Sequence, residues 1–330
     1  GNVLTGNAIK VTSVQGTITA NTTWQNVQGL NMPFLVTGDI SVNNGVTLTI
    51  QPGVVVKFQY TSDGYQTRRM LVYGTLAAEG TSGSPIVFTS ERDDAHGGDS
   101  NGDGGGTTPN NGNWAHIRIM NTGAATIEYC QFWYGGYRHP GEHQMLWIDN
   151  AAAQITVRNC EFHRAYSRAL RYSVNTYGID AAIIENVFAN CNDGILIDGN
   201  ALATATVLNN TMSSCGGTAI YIDGNGSTEV TVSNNTMTAC SGTAIHVDDA
   251  ASSSLIIDNT IQNSGTAIEI QGCSPLIQDN TLTSNSGYPF RQVGQAYPSY
   301  SGNVLTGNAL KVISVQGTIT ANTTWQNVQG

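Results

Sequence analysis

The sequence predicts an all-β fold, a solenoid of stacked parallel strands, and three observations carry the prediction. An Asn returns at intervals near 24 residues. A phrase in which Ile or Val alternates with variable residues follows it in the middle units, the period-two pattern of a half-buried strand. Turns rich in Gly, Asn and Asp separate the short strands, and no stretch reads as a long helix.

Aligned segments run from "VRNCEFHRA" through "IIENVFANC", "VLNNTMSSC", "VSNNTMTAC", "IIDNTIQNS" and "IQDNTLTSN" to "LTGNALKVI". They put Asn159, Asn186, Asn210, Asn235, Asn259, Asn280 and Asn308 in one slot, at intervals of 27, 24, 25, 24, 21 and 28 residues. The second phrase, "GILIDGN", "AIYIDGN", "AIHVDDA", "AIEIQGC", points Ile195/Ile197, Ile220/Ile222, Ile245/Val247 and Ile268/Ile270 inward. It points Leu196, Tyr221, His246 and Glu269 outward. Strands this short, repeating this regularly, do not suit a hairpin meander, where equivalent residues would fall out of register. A coil of parallel strands stacks them about 4.8 Å apart. The Asn column then becomes a ladder of amides that satisfies polar groups at a tight bend, where stacked carboxylates would repel one another.

A longer period encloses the short one. Residues 1–29 return at 302–330 with 27 of 29 positions identical; Ile9 becomes Leu310 and Thr12 becomes Ile313. Tandem repetition explains this. Residues 1–301 read as one repeat of about twelve rungs, with a front cassette over 1–124, an Asp/Gly-rich loop over 92–113, and regular rungs over 125–301. Residues 302–330 read as the start of the next repeat. The column running from Asn280 to Asn308 implies a coil that crosses the boundary without a linker. Gly1 does not read as a natural start, so the chain reads as a window on a periodic rod.

Composition narrows the function. The chain has 330 residues, a net charge of −10 and only 11% charged residues, with three lysines. Such a balance argues against a nucleic-acid groove and an anionic membrane surface, and no apolar run approaches the ~20 residues of a membrane span.

The units "N-x-[I/F/M]…G-I-x-[I/V]" resemble those of right-handed parallel β-helix proteins of the pectate-lyase-like kind, most clearly over 125–282. "FLVTGDISVNNGVTLTIQPGVVVKF", "LVYGTLAAEGTSGSPIVFTSERDD" and "NWAHIRI" resemble a cassette of secreted bacterial β-helix proteins, including giant surface tandem-repeat proteins. The resemblance implies an extracellular or cell-surface setting. It implies no particular activity, because the fold hosts lyases, hydrolases, tailspikes, adhesins and plain rods.

Several groups are candidates for chemistry. Asp99, Asn101 and Asp103 form the first half of a calcium-loop pattern, although Asn110 stands where a bidentate Glu is expected; Asp93 and Asp94 are candidate extra ligands. No other cofactor is required. Asp198, Asp223 and Asp248 stack as turn residues or as a cation column. Catalysis is disfavoured: Asp248 and Asp249 are adjacent, but the Gly-His-Gly, Arg-Ile-Lys and Asn-Thr-Asp phrases of polygalacturonases are missing, as is a lyase's basic cluster. His139, Glu142 and His143 have zinc-like spacing in a Pro-Gly loop that scaffolds a metal poorly. Trp133, Tyr134, Tyr137, Arg138 and Trp147 form a candidate patch for polysaccharide or a neighbouring filament, with packing as the plainer reading. Cys130 and Cys160 occupy equivalent slots. Cys191, Cys215 and Cys240 stack at one bend, and with Cys273 all six are expected as buried thiols.

The expected function is structural: a repeat of an extracellular fibre, filament or surface stalk that joins copies of itself end to end. A carbohydrate-binding or polysaccharide-degrading β-helix, or an adhesin, is the alternative.

Overall fold

A computed structural model describes residues 9–26, 32–138, 140–149, 151, 153–174, 180–199 and 204–318. Parts of the repeat junction (1–8, 27–29 and 319–330), together with His139 and Tyr177, lie outside them. Every strand among the described residues that has a partner pairs in parallel, and none of these residues is helical. An isolated antiparallel bridge joins Thr81 and Ser84. The fold is a parallel β-helix. The shorter of its strand families has eleven members among the described residues, against about twelve rungs expected.

The chain forms two compact units, 1–169 and 170–330. In the first, strand Phe34–Val42 is long enough to serve two faces. Its first half pairs with Val55–Phe58 and its second with Met70–Val72. Residues 59–69 and 91–113 leave the coil as loops, which is where the rung count falls below a simple division by 24. The inward aromatics stack from rung to rung: Phe88 on Phe132 at 5.0 Å, and Phe132 on Phe162 at 4.7 Å.

In the second unit the predicted alternation holds residue by residue. Ile195, Ile220, Ile245, Ile268 and Phe290 form one inward column, and Ile197, Ile222, Val247 and Ile270 another. All are buried. Each such side chain contributes about 1.5–3 kcal/mol of transfer free energy, so the stack is a continuous apolar rod. Leu196 and Glu269 do point outward, yet each is only 7% exposed. Glu269 receives Arg291 at 3.1 and 3.2 Å, and Tyr221 stacks on His246 at 4.7 Å.

The Asn ladder corrects the sequence alignment at both ends. Asn186, Asn210, Asn235, Asn259 and Asn280 stack as expected. Each backbone N–H and side-chain amide donates to the next Oδ1 at 2.9–3.1 Å. The residue after Asn280 is Asn303, not Asn308. Asn308 belongs to a second column with Ser264 and Asn285, five residues further along each rung. Asn159 is not a ladder residue. Its φ of 54° places it with Asn209, Asn234, Asp258 and Asp279, the left-handed turn residues that precede the ladder. The expected interval of 28 was the sign of the slip, since the observed step from Asn280 to Asn303 is 23 residues.

The second column is the cysteine column continued. Gly216 N–H donates to the Cys191 carbonyl, Ser241 to that of Cys215, and Gly265 to that of Cys240. Cys240 N–H then donates to Ser264 Oγ at 3.2 Å. Thiol gives way to hydroxyl and then to amide down one bend. A glycine column lies just beyond it. A Cβ on Gly265 would sit 2.2 Å from the Gly242 carbonyl oxygen, so only glycine allows the rungs this close.

Candidate functional site

The repeat junction is the first site to build, because the duplicated segment is seated by the same devices as an internal rung. Asn280 and Asn285 donate to Asn303 and Asn308, and the latter pair return their own amides to the carbonyls of Ile277 and Leu282 at 2.8 Å. Strand Val304–Thr306 pairs with Thr281–Thr283, and Ile313–Gln316 with Phe290–Val293. The intervening excursion is ordered: Ser299–Ser301 pairs with Leu276–Gln278, and the Tyr300 ring lies 4.7 Å from Phe290. The boundary at 301/302 therefore falls inside a regular stack.

The loop that carries Asp99, Asn101 and Asp103 closes on itself. Asp99 accepts from the N–H groups of Gly102 (2.7 Å) and Gly104 (2.9 Å). Asp103 accepts from Gly105, Gly106 and the Thr107 hydroxyl. These bonds hold both carboxyls below their usual range, for Asp99 chiefly through Gly104 and for Asp103 through Thr107. A cation is nevertheless built in. Lys57 is 0% exposed beneath the loop and donates to the carbonyls of Asp93 (2.8 Å) and Gly98. Burial lowers its pKa, opposed by Asp93, Asp94 and Asp99. Asp93 is occupied by Thr89 and by His96 at 2.7 Å.

The Asp column exists in the expected register, Asp198 beside Asp223 beside Asp248, and Gln271 follows. It is terminated by partners. Arg171 pairs with Asp198, and Gln271 donates to Asp248 at 2.9 Å. Burial, then Asp249, raises the Asp248 carboxyl.

The aromatic patch divides into three. Trp133 stacks on His163 at 3.8 Å, with the His96 and Tyr134 rings tilted beside it at 5.1 and 5.9 Å. Tyr137 packs with His143 and Tyr166. Trp147 carries the Arg118 guanidinium on its face at 3.6 Å.

A charged cluster that sequence reasoning missed lies around Glu142. Its Oε1 receives Arg118 at 2.9 Å, its Oε2 receives Arg69 at 3.1 Å, and Arg138 lies 3.7 Å away. Asp39 pairs with Arg69, and Asp149 with Arg118. His116, fully buried, sits under this network with Nε2 4.0 Å from Glu142, and neither ring nitrogen has a hydrogen-bond partner. Burial first, then Arg69, Arg118 and Arg138, holds its pKa well below the ordinary value. The arrangement can clamp a carboxylate, and here it clamps the chain's own. The alternation in "HIRI" marks Arg118 as outward, but its partners come from loops of irregular length that no period reveals.

The six cysteines are buried and none forms a disulfide. Cys130 donates to the carbonyls of Ala78 and Glu128, Cys160 to Arg158, and Cys273 to Val247. Burial pushes Cys130 well up and Cys273 to about 11; the neighbouring Cys240 thiol and burial push Cys215 up. No group of three His, Cys, Asp or Glu able to hold a metal ion occurs among the described residues. No helix among them is long and apolar enough to cross a membrane.

Among curated proteins, none matches the chain. The solved structures similar to the chain include two of low identity. The periplasmic alginate epimerase AlgG is 11% identical, with 88% of this chain and 78% of that one covered, at a TM-score of 0.40. ORF18 of Geobacillus virus E2 is 12% identical, with 86% and 55% covered, at a TM-score of 0.21. The family described as periplasmic copper-binding protein (NosD) matches residues 67–329. That match spans most of the strands described above, from Met70–Val72 to Ile313–Gln316, and the chain accordingly belongs to the NosD family.

Proposed function

We propose that this chain is a structural repeat of a β-helical rod on the periplasmic or extracellular side of the cell, built by running one repeat's coil into the next. A single observation carries the reading: Asn303, Asn308 and Ile313–Gln316, all in the duplicated segment, are held by the ladders and strand pairing of the internal rungs. The mechanism is mechanical. Parallel strands hydrogen-bond along the coil, the aliphatic columns keep water out, and the amide ladders fix the register. No catalytic step is assigned to the chain. The test is electron microscopy of native material with its mass under denaturing, reducing conditions. Rods with a very large denatured mass indicate a covalent array, and rods that dissociate to the 34.9 kDa chain indicate non-covalent joining. Discrete, non-fibrous particles would overturn the reading.

The family description includes copper, and the described residues do not fit it. Copper(I) selects thiolate and thioether ligands, and thiol ligands must deprotonate to bind. The thiols are buried; those of Cys130, Cys160, Cys191, Cys240 and Cys273 donate to backbone carbonyls, burial raises the pKa of Cys130 and Cys273, and the contact between Cys215 and Cys240 raises the first while lowering the second. His116, the most buried imidazole, faces three guanidinium groups that repel a cation. No step is routed through a metal.

A second reading is binding of an anionic polysaccharide at the Glu142 cluster. It is favoured by one observation: three guanidinium groups converge on Glu142 above the buried His116, with Asp39 and Asp149 at the flanks of the cluster. Binding to an array of acidic glycans, lost in Arg69→Ala with Arg118→Ala, would support it; release of reducing or unsaturated ends would make it an enzyme.

A further inference from the structure

The frame and the occupant of the Glu142 cluster come from different parts of the fold. Stacked strands supply the frame. Asp39 lies on Phe34–Val42, Arg69 directly precedes Met70–Val72, Arg118 lies on Ile117–Ile119 and Asp149 ends Gln144–Asp149. These strands are neighbours in register, with Ile40 opposite Met70, Met70 opposite Ile117, and Ile117 opposite Leu146. Glu142 comes instead from the turn before Gln144–Asp149, where Gly141 has a φ of 74°.

Each arginine of the frame is held without Glu142. Asp39 accepts from Arg69 at 3.0 Å, Asp149 accepts from Arg118 at 2.9 Å, and the Thr67 carbonyl accepts from Arg138. Three guanidinium groups against two flanking carboxylates leave one positive charge in excess. Glu142 fills that seat, with Oε1 on Arg118 at 2.9 Å and Oε2 on Arg69 at 3.1 Å. It fills it imperfectly. His116 is fully buried beneath, and its Nε2 lies 4.0 Å from Glu142, outside hydrogen-bond reach. Neither ring nitrogen has a hydrogen-bond partner, an uncommon state for a buried polar group. The tethered carboxylate serves the arginines and leaves the imidazole unsatisfied.

Exposed aromatic surface adjoins the seat. Arg138 is bonded to the loop that carries Tyr65, and the adjacent Tyr137 packs on Tyr166 with ring centroids 4.6 Å apart. Tyr65 and Tyr166 are 59% and 46% exposed. Ring faces beside a carboxylate seat suit an acidic sugar, whose ring lies on the aromatic surface while its carboxylate pairs with arginine.

We propose that Glu142 is a built-in occupant of a carboxylate-binding seat, and that a uronic acid residue of an acidic glycan takes its place on Arg69 and Arg118, within reach of His116. The proposal rests on the reading of this cluster as an acidic-glycan site, and it states what holds that site closed. The exchange leaves the charge of the cluster unchanged, since one carboxylate leaves the arginines for water as another arrives. Glu142 therefore competes with the ligand, and its removal strengthens binding.

The test is calorimetry on the full chain with a trimer of galacturonic acid. Glu142→Ala and the isosteric Glu142→Gln are each expected to bind it about tenfold or more tighter than wild type, the scale set by one charge-assisted hydrogen bond. Adding Arg118→Ala should abolish the gain, and the uncharged methyl ester of the trimer should bind to none of these chains. Circular dichroism of each variant confirms that it folds. If wild type binds the trimer and neither Glu142 variant binds it more tightly, the competition is overturned while the glycan reading stands. If neither wild type nor either Glu142 variant binds it, both fall. An equal gain for a tripeptide of glutamate overturns the assignment to a sugar.

Discussion

Replacing Asn235 by Asp tests the ladder most sharply, because the change is isosteric and alters only donors and charge. Asn235 is fully buried. Its Oδ1 accepts from the N–H and side-chain amide of Asn210, at 2.9 and 3.0 Å. Its Nδ2 donates to the carbonyls of Val207 and Ser233 and to Asn259 Oδ1, at 2.8, 3.0 and 3.1 Å. An aspartate keeps the acceptor and turns a second oxygen towards three others. Losing these donors orphans two or three buried groups at about 1–3 kcal/mol each, so roughly 3–5 kcal/mol is expected at neutral pH. The sign with pH follows. The introduced carboxyl is destabilised as an anion, so its folded pKa lies above the unfolded ~3.9. Protons then bind the folded form more tightly, and the deficit is small below pH 4 and grows as pH rises through the folded pKa. Urea midpoints for wild type and variant at pH 4 and pH 7 measure this directly. An equal deficit at both values, or none at pH 7, would refute the account of the ladder as a donor-dependent device.

Other outcomes follow from the same geometry. Lys57→Met removes two charge-assisted bonds, each worth about 1.5–3 kcal/mol, and should expose 91–106 to protease while leaving the rest of the coil resistant. Gly265→Ala drives a methyl into the Gly242 carbonyl and should destabilise by about 1–3 kcal/mol, read from thermal melts. His116 stays neutral when folded because burial and three arginines lower its pKa. Stability should therefore fall as pH drops below the ordinary value of about 6.5, and His116→Gln should flatten that part of the profile. Chelation of calcium should leave the melt unchanged, since the loop's own N–H groups hold Asp99 and Asp103. Copper(I) titration should find no tight site, and stoichiometric binding at nanomolar affinity would contradict the thiol assignment.

The parallel coil was legible because its signals are local and periodic. Ile/Val alternation and the slot at Asn186, Asn210, Asn235, Asn259 and Asn280 each report one bend or one face. The slot failed where an Asn recurs one residue before a ladder position or five after it. Asn159 precedes a ladder position in the turn, and Asn308 follows one by five, in the thiol column. Both bends accept Asn for related reasons, one for its tolerance of positive φ and one for its stacking amide. The Glu142 cluster was illegible because Asp39, Arg69, His116, Arg118 and Asp149 meet it across loops of unequal length. Lys57 gave no signal either, since a strand lysine ordinarily reads as solvated and this one is covered by a distant loop.

The central claim is that the coil runs through the duplicated segment without a break. Cryo-electron microscopy of a chain carrying two complete repeats measures this most directly. The account predicts Ile313–Gln316 flanked on both edges, by Phe290–Val293 and by the next repeat's counterpart of Phe34–Val42, with the rung spacing of ~4.8 Å unchanged across the boundary. A gap, a hinge, or a strand shifted by one residue at that position would contradict it.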